Sequence, residues 1–393
     1  MNNPTVELKK GKMRSIQRRH PWIFSGAISG TSQKLSDGDV VHVKDHAGKI
    51  VGTGFYGSGS IAVRLVSFEE TPINESFWFD RIRKAWGLRH QIGLTNSEQT
   101  NIFRLVHAEG DGLPGLIVDI YGDTAILQAH NYGVYRNRET IARAIQAAAP
   151  ERVNSVFDKS QDTLSKTGDQ SDGFILGEPA KFHPLKEGGH TFQIDWEGGQ
   201  KTGFFLDQRE NRKLLGQMSA GKKVLNAFCY TGGFSVYALS GGASLVHSVD
   251  SSASALELCE RNVQAMEDVA GNHQLIQADA LQFTKELPED YDIIILDPPA
   301  FAKHIKARHR AVQAYKRLNE QAIKQIKPGG MLMTFSCSRV VDKQLFNNTV
   351  MAAAINCRRS VRILHQLHQP ADHPIDIYHP ESEYLKGLVL QID

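Results

Sequence analysis

The stretch Asn226-Ala227-Phe228-Cys229-Tyr230-Thr231-Gly232-Gly233-Phe234-Ser235 decides the fold. It continues the β-rich run Lys223-Val224-Leu225-Asn226 and opens an apolar segment of helical character. Paired glycines let the backbone turn sharply and approach a ligand closely. The free amides of the helix that follows favour an anionic group such as a carboxylate. Outward from this turn the same alternation repeats. Leu245-Val246-His247-Ser248-Val249-Asp250 reads as a strand followed by a helix over 254–266, and Gln274-Leu275-Ile276-Gln277 reads as a strand ending near Asp279. Tyr291-Asp292-Ile293-Ile294-Ile295-Leu296 is a buried strand ending at Asp297, and Gly330-Met331-Leu332-Met333-Thr334-Phe335 is another, ending at Ser336-Cys337-Ser338. Such alternation predicts an α/β, Rossmann-like doubly wound parallel sheet with its ligands at the carboxyl ends of the strands.

The polar residues at those ends describe a nucleotide-sized ligand. Asp250 is placed to accept hydrogen bonds from ribose hydroxyls, as an acid does at the second strand of dinucleotide folds. Asp279 is positioned to receive an adenine amino group. Either aspartate alone reads equally well as a helix cap. The first turn lacks the G-x-G-x-x-G of nicotinamide and flavin sites, and the chain has no G-x-x-x-x-G-K-[ST] phosphate loop. Adenosine joined to a small amino-acid-like anion is the ligand that fits.

Two strand ends carry candidate chemistry. In Asp297-Pro298-Pro299-Ala300 the prolines hold a rigid extended turn and contribute no amide donors, so the preceding carboxylate is fixed at the sheet edge, where it can bind the edge of a flipped base. The alternative is a purely structural turn. Cys337 ends the neighbouring strand and is a candidate nucleophile. Cys229, Cys259 and Cys357 read as small buried hydrophobes. A thiolate at Cys337 has a clear use. Carbon 5 of a pyrimidine attacks a methylsulfonium poorly, whereas a thiolate adding to carbon 6 makes carbon 5 enamine-like. Asp297 would then stabilise charge at nitrogen 3.

The rest of the chain reads as two further domains, which its 393 residues allow. Residues 1–75 read as short strands of a small β-barrel, 76–195 as a central α/β domain, and 196–393 as the doubly wound domain. The net charge is only +2, but Lys9, Lys10, Lys12, Arg14, Arg18 and Arg19 form one acid-free basic cluster. Lys303, Lys306, Arg308, Arg310, Lys316 and Arg317 form another. Both suit phosphate contacts with RNA, and a solvated basic face is the plain alternative. Trp22, Phe24, Phe204, Phe205 and Tyr230 are candidates to stack on bases or adenine, with core packing the default for Phe24 and Phe205. No apolar run approaches the roughly 20 residues of a membrane span. No CxxC pair or closely spaced histidine set indicates a metal site, so no metal is expected. A cytoplasmic location is expected.

Four motifs make the pattern specific: Lys201-Thr202-Gly203-Phe204-Phe205-Leu206-Asp207-Gln208-Arg209, Tyr230-Thr231-Gly232-Gly233-Phe234, Asp297-Pro298-Pro299 and Phe335-Ser336-Cys337-Ser338. Together they resemble the RlmI-type 23S ribosomal RNA methyltransferases, class I enzymes that use S-adenosyl-L-methionine to make 5-methylcytosine. Arg18-Arg19-His20-Pro21-Trp22-Ile23-Phe24-Ser25-Gly26 resembles their N-terminal PUA domain, an RNA-binding barrel. Glu109-Gly110-Asp111-Gly112-Leu113-Pro114-Gly115 and the ending with Tyr384-Leu385-Lys386-Gly387 resemble the family too. The resemblance implies Cys337 as nucleophile and Asp297 as base-binding acid. It implies cofactor contacts at Gln208, Phe228, Tyr230, Thr231, Gly232, Gly233, Asp250, Asp279 and Asp297. It also implies 23S ribosomal RNA as partner and a homodimer. The chain departs from many members at Ala300, where they carry lysine. Two other readings stay open: a ribosomal RNA methyltransferase acting on a purine nitrogen through Asp297-Pro298-Pro299, and a non-catalytic RNA-binding or assembly factor.

Overall fold

The computed structural model describes residues 3–164, 171–178, 184–267, 269–302 and 304–393. It divides into two compact units: Met1–Lys186 with Asp195–Leu206 and Ala371–Ser382, and Glu187–Ile194 with Asp207–Pro370 and Glu383–Asp393.

The first unit holds two sheets. Strands β1 (Thr5–Leu8), β2 (Trp22–Phe24), β3 (Ile28–Thr31), β4 (Val40–Lys44), β5 (Ile50–Tyr56) and β6 (Ile61–Ser67) form one, in the order β2-β6-β5-β4-β1-β3. Their alternate residues Val6, Leu8, Ile23, Val41, Val43, Val63 and Leu65 make its core, as period-two patterning requires. The short helix α1 (Arg14–Gln17) follows β1. Helix α2 (Glu75–Gln91) is capped by Asn74, whose side chain accepts from the Phe77 amide. The second sheet contains β7 (Ile102–His107), β8 (Leu116–Tyr121), β9 (Thr124–Ala129), β10 (Ser155–Asp158) and β11 (Gly173–Leu176), with helices α3 (Tyr132–Arg136) and α4 (Arg138–Ala148). The β8–β9 hairpin turns at Gly122, where φ is +65°.

Buried charge ties the later segments into this unit. Arg89 forms a two-pronged pair with Asp111 at 2.5 and 2.8 Å and also donates to the Asp372 carbonyl. Arg104 pairs with Asp119 at 2.7 and 2.8 Å, and its backbone amide donates to the Asp372 carboxylate. The Thr202 hydroxyl donates to Asp119. His373, buried against His107, belongs to the same seam. Phe24, expected in the core, is 47% exposed. Phe24 is the last residue of β2, so the alternation that buries Ile23 turns its neighbour Phe24 to the opposite, open face.

Strand β12 (Leu185–Glu187) pairs with β13 (His190–Phe192) in a two-stranded ribbon, and the second unit, which begins at Glu187, holds β13, helix α5 (Arg209–Met218) and a seven-stranded sheet. Its elements in chain order are β14 (Lys223–Ala227), α6 (Gly233–Ser240), β15 (Leu245–Asp250), α7 (Ala253–Gln264), β16 (Asn272–Gln277), α8 (Ala280–Phe283) and β17 (Ile293–Leu296). Then follow α9 (Arg308–Gln325), β18 (Gly330–Ser336), α10 (Lys343–Cys357), β19 (Val361–His368) and β20 (Lys386–Ile392). The sheet order is β16-β15-β14-β17-β18-β20-β19, parallel from β16 to β18, with β20 antiparallel to both its neighbours. This is the Rossmann-like architecture that the alternation predicts. Ile293 to Leu296 are fully buried, as a strand covered on both faces must be.

Two features differ from the sequence reading. The strand expected from Tyr291 begins at Ile293, because Tyr291 and Asp292 are spent on side-chain anchoring. The Tyr291 hydroxyl meets His247 at 2.6 Å, and the Asp292 carboxylate accepts the Lys223 amide and pairs with Lys327. The final antiparallel pair, β19 and β20, has no counterpart among the expected strands. β19 carries arginine, histidine and glutamine and lies at the sheet edge, so it lacks an apolar run.

The ribbon is locked to the sheet layer by an ion pair. Glu187, with no accessible side-chain surface, receives two bonds from Arg212 at 2.8 and 2.7 Å, and the Tyr237 hydroxyl donates to the Glu187 carbonyl. Glu187→Ala strands a buried guanidinium and is expected to cost about 3–5 kcal/mol. Urea unfolding followed by circular dichroism should show the midpoint falling without a change in slope.

Candidate active site

The turn after β14 is the most strained backbone of the second unit. Phe228, Tyr230 and Gly232 have φ of +63°, +48° and +81°, a left-handed region that non-glycine residues rarely occupy. Such strain persists where surroundings over-determine it, and it gathers at ligand sites. The surroundings here are explicit. The Tyr230 amide donates to Asp250 at 2.9 Å, the Cys229 amide to the Val249 carbonyl, and the Asn262 side chain to the Thr231 carbonyl. Asn226 donates to Ser235 on the first turn of α6. Gly232 is obligatory, since a Cβ there would lie 2.3 Å from the Cys259 sulfur.

The turn is built for a polar ligand. Among the described residues the buried Thr231 hydroxyl and the Asn226 carbonyl oxygen find no hydrogen-bond partner. A buried hydroxyl of this kind, on a turn that opens a helix, is a group that a polar ligand would satisfy. Asp250 ends β15 with one oxygen on the Tyr230 amide and the other on the Ser252 amide. Asp279 is exposed beyond β16, and its side chain caps α8 by accepting from Gln282. The cap does not exclude a ligand, because a carboxylate has about four acceptor positions. These residues fit an adenosine cofactor with an amino-acid tail: Thr231, Gly232 and Gly233 for the tail, and Asp250 and Asp279 for ribose and base.

A second group gathers at the carboxyl ends of β17 and β18. The strands are parallel neighbours with Leu296 opposite Thr334, so Asp297 and Cys337 both leave the sheet at its carboxyl edge. Buried Gln208 donates to the Asp297 carboxylate at 3.1 Å, and Asn211 donates to the Gln208 carbonyl oxygen at 2.6 Å, which fixes the amide's orientation. Cys337 is partly exposed, while Cys229 and Cys259 are buried. The hydrogen bond that the Cys229 thiol donates to Cys259, together with burial, pushes the Cys229 thiol well up. Ser338, next to Cys337, is held by the Tyr315 hydroxyl at 2.9 Å and accepts from the Ala302 amide. Sequence reasoning does not single out Asn211, Tyr315 or Lys386. Only Lys386 carries a signal, as one cation within an otherwise apolar closing strand.

Of the basic residues, Lys10, Lys12, Arg14, Arg18 and Arg19 are exposed or half-exposed in the first unit. The Arg19 guanidinium lies over the rings of Phe68 and Tyr378. Arg308 and Arg310 are on the first turn of α9 in the second unit, and Lys303 lies outside the described residues. His20, His379 and Glu381 bring metal-type ligand atoms together. However, His20 Nδ1 accepts from the Trp22 amide, which leaves its proton on Nε2 as a donor facing Glu381. No described helix is long and apolar enough to cross a membrane.

Comparison with known proteins agrees with this fold. A family model described as S-adenosylmethionine-dependent methyltransferase matches residues 135–389, and one described as a PUA-like domain matches residues 6–68. The chain is 37% identical over 401 residues to the Ribosomal RNA large subunit methyltransferase I of Photobacterium profundum, covering 99% of each. It is 38% identical over 396 residues to the protein of the same name from Aeromonas hydrophila, covering 98% of this chain and 99% of that one. Among solved structures, a putative SAM-dependent methyltransferase from Streptococcus mutans shares the fold with a TM-score of 0.83 at 23% identity, covering 98% of this chain and 99% of that one. A putative methyltransferase complexed with SAH gives 0.84 at the same identity and coverage.

Gly232→Ala tests the turn. A left-handed alanine costs about 1–2 kcal/mol before its clash with Cys259 is counted. Calorimetric titration with S-adenosylmethionine should show affinity falling by roughly tenfold or more.

Proposed function

Because this chain belongs to the family of Ribosomal RNA large subunit methyltransferase I, S-adenosylmethionine-dependent enzymes with a PUA-like domain, we propose that it methylates carbon 5 of a cytosine in large-subunit, 23S ribosomal RNA through a covalent adduct with Cys337. The observation that carries the reading is the pairing of a partly exposed thiol with an amide-held carboxylate at the ends of adjacent parallel strands. S-adenosylmethionine supplies an electrophilic methyl group when bound.

The chain's own residues do the rest. The Cys337 thiolate adds to carbon 6 of the flipped base, and the electron pair so released makes carbon 5 nucleophilic. Asp297, oriented by Gln208 and entering the step protonated, gives its proton to nitrogen 3, which neutralises the negative charge that the thiolate pushes into the ring, and takes it back as the thiolate leaves. Once carbon 5 carries the methyl group, loss of its proton to a base expels the thiolate and restores the ring. The rigid Pro298-Pro299 turn keeps the carboxylate from drifting between these steps. The basic residues Lys10, Lys12, Arg14, Arg18 and Arg19, with Arg308 and Arg310, supply phosphate contacts that carry no sequence information.

The test is methyl transfer from labelled S-adenosylmethionine to ribosomal RNA, followed by nucleoside analysis. The native chain should yield 5-methylcytosine and be trapped covalently by RNA containing 5-fluorocytosine. Cys337→Ala should do neither while still binding the cofactor. Full activity in that variant overturns the thiolate reading, and a methylated purine product would replace it with attack by a ring nitrogen.

The basic cluster is tested separately. Replacing Arg14 and Arg18 with alanine should weaken RNA binding regardless of sequence. It should also flatten the dependence of log affinity on log salt by about 0.7 for each phosphate that is no longer neutralised.

A further inference from the structure

Attack by Cys337 requires a thiolate near neutral pH, yet an ordinary thiol titrates near 8.5. Thiols are acidified by a nearby cation or a helix N-terminus. No long helix begins at Cys337, since β18 ends at Ser336 and α10 starts only at Lys343. A cation is present instead.

Lys386 opens β20, the strand antiparallel to β18, and stands directly across from Ser336. Its ammonium donates to the Ser338 carbonyl and to the Tyr384 carbonyl, both at 2.8 Å. Its contacts therefore bracket Cys337: the residue before the thiol is its cross-strand partner, and the residue after gives it a carbonyl. Lys386 is only 4% exposed. Lysine is almost never that buried unless it is paired. Among the described residues no carboxylate forms an ion pair with it, and both hydrogen-bond acceptors are neutral carbonyls. An ammonium has three N–H donors, so two carbonyls leave one.

We propose that Lys386 is the counter-ion of the Cys337 thiolate, a positioning residue whose buried positive charge holds the nucleophile ionised. The inference rests on the reading of Cys337 as nucleophile. Desolvation, offset only in part by the charges of Cys337, Glu383 and Asp342, in that order, brings the Lys386 ammonium down to about 8. The other titratable group packed on this edge is Tyr315 from α9, whose hydroxyl burial pushes up and which stays neutral. Asp297 at the end of β17 and the exposed Arg339 just beyond Ser338 are the remaining charged residues of these two strand ends. The carboxylates oppose ionisation of the thiol, so Lys386 is the buried cation available to favour it.

The experiment is the rate of Cys337 alkylation by iodoacetamide as a function of pH, read by peptide mass spectrometry on the full chain. This measures thiol acidity without any turnover. The native protein should show a midpoint below the ordinary thiol value. Lys386→Met should raise the midpoint by about one unit or more, slowing alkylation at pH 7 by roughly tenfold. Lys386→Arg should keep it near the native value. If Lys386→Met fails to fold, Lys386→Gln retains an amide donor for the carbonyls without the charge and is read in the same way. Rates of 5-methylcytosine formation should follow, with the loss in the uncharged variant partly recovered as pH is raised. An unchanged alkylation midpoint in the uncharged variants overturns the proposal. The thiolate reading itself fails by a different result, undiminished methylation by Cys337→Ala, so the two failures are distinguishable.

Discussion

The candidate site depends on one break in the winding of the sheet. β14 is hydrogen-bonded to β15 on one side and to β17 on the other, so the chain first winds outward and then returns to wind the opposite way. The crossovers on the two sides diverge above the carboxyl ends, and a crevice opens where they part. The strained turn 228–232 borders that crevice from β14, Asp250 borders it from β15, and Asp297 borders it from β17. No local preference of these segments would bring them together. The parallel register does so.

Neutral groups set the site's electrostatics as much as charged ones. Asn211 orients Gln208, and Gln208 orients Asp297, through two amides that carry no net charge. Asp250 does the same for the cofactor turn by accepting the Tyr230 amide. Each such bond fixes a rotamer that would otherwise be sampled, which is how a site is held ready before its ligand arrives. The left-handed Phe228 and Tyr230 show the cost of that readiness, and the bonds to Val249 and Asp250 and from Asn262 keep the turn in place.

The first unit solves a different problem. Its seam of Arg89, Asp111, Arg104, Asp119 and Asp372 is buried and ionic, where an apolar seam would bind as firmly. Directional pairs accept one partner geometry and reject others. They suit two segments, Asp195–Leu206 and Ala371–Ser382, that come to this unit from distant parts of the chain. The exposed face keeps its basic residues and its rings, with Phe24 and Tyr378 open to solvent and Arg19 over the Tyr378 ring.

Much of this is legible in the sequence, and the reason is periodicity. Apolar runs such as Ile293 to Leu296 alternate with amphipathic helices at a spacing that admits one class of fold, and the glycine turn marks its first crossover. Asp250, Asp279, Asp297 and Cys337 can be picked out because each stands at the end of a run. Whatever depends on pairing between distant parts of the chain leaves no such mark. Asn211 looks like an ordinary helix residue, and Gln208 like a cofactor contact alone, until the fold sets Asn211 against Gln208 and Gln208 against Asp297. The strand β19 looks like a polar loop until β20 pairs with it. Lys386 stands out only as a lone cation before an apolar run until the antiparallel register of β18 and β20 buries it across from Ser336. Hydrophobic period and strand-end residues are local properties, so the fold and the chemical type of the site are written in the chain itself. Which neutral amide aims the carboxylate, and which cation faces the thiol, follow instead from the register between strands far apart in the chain, and that register exists only once the sheet has formed.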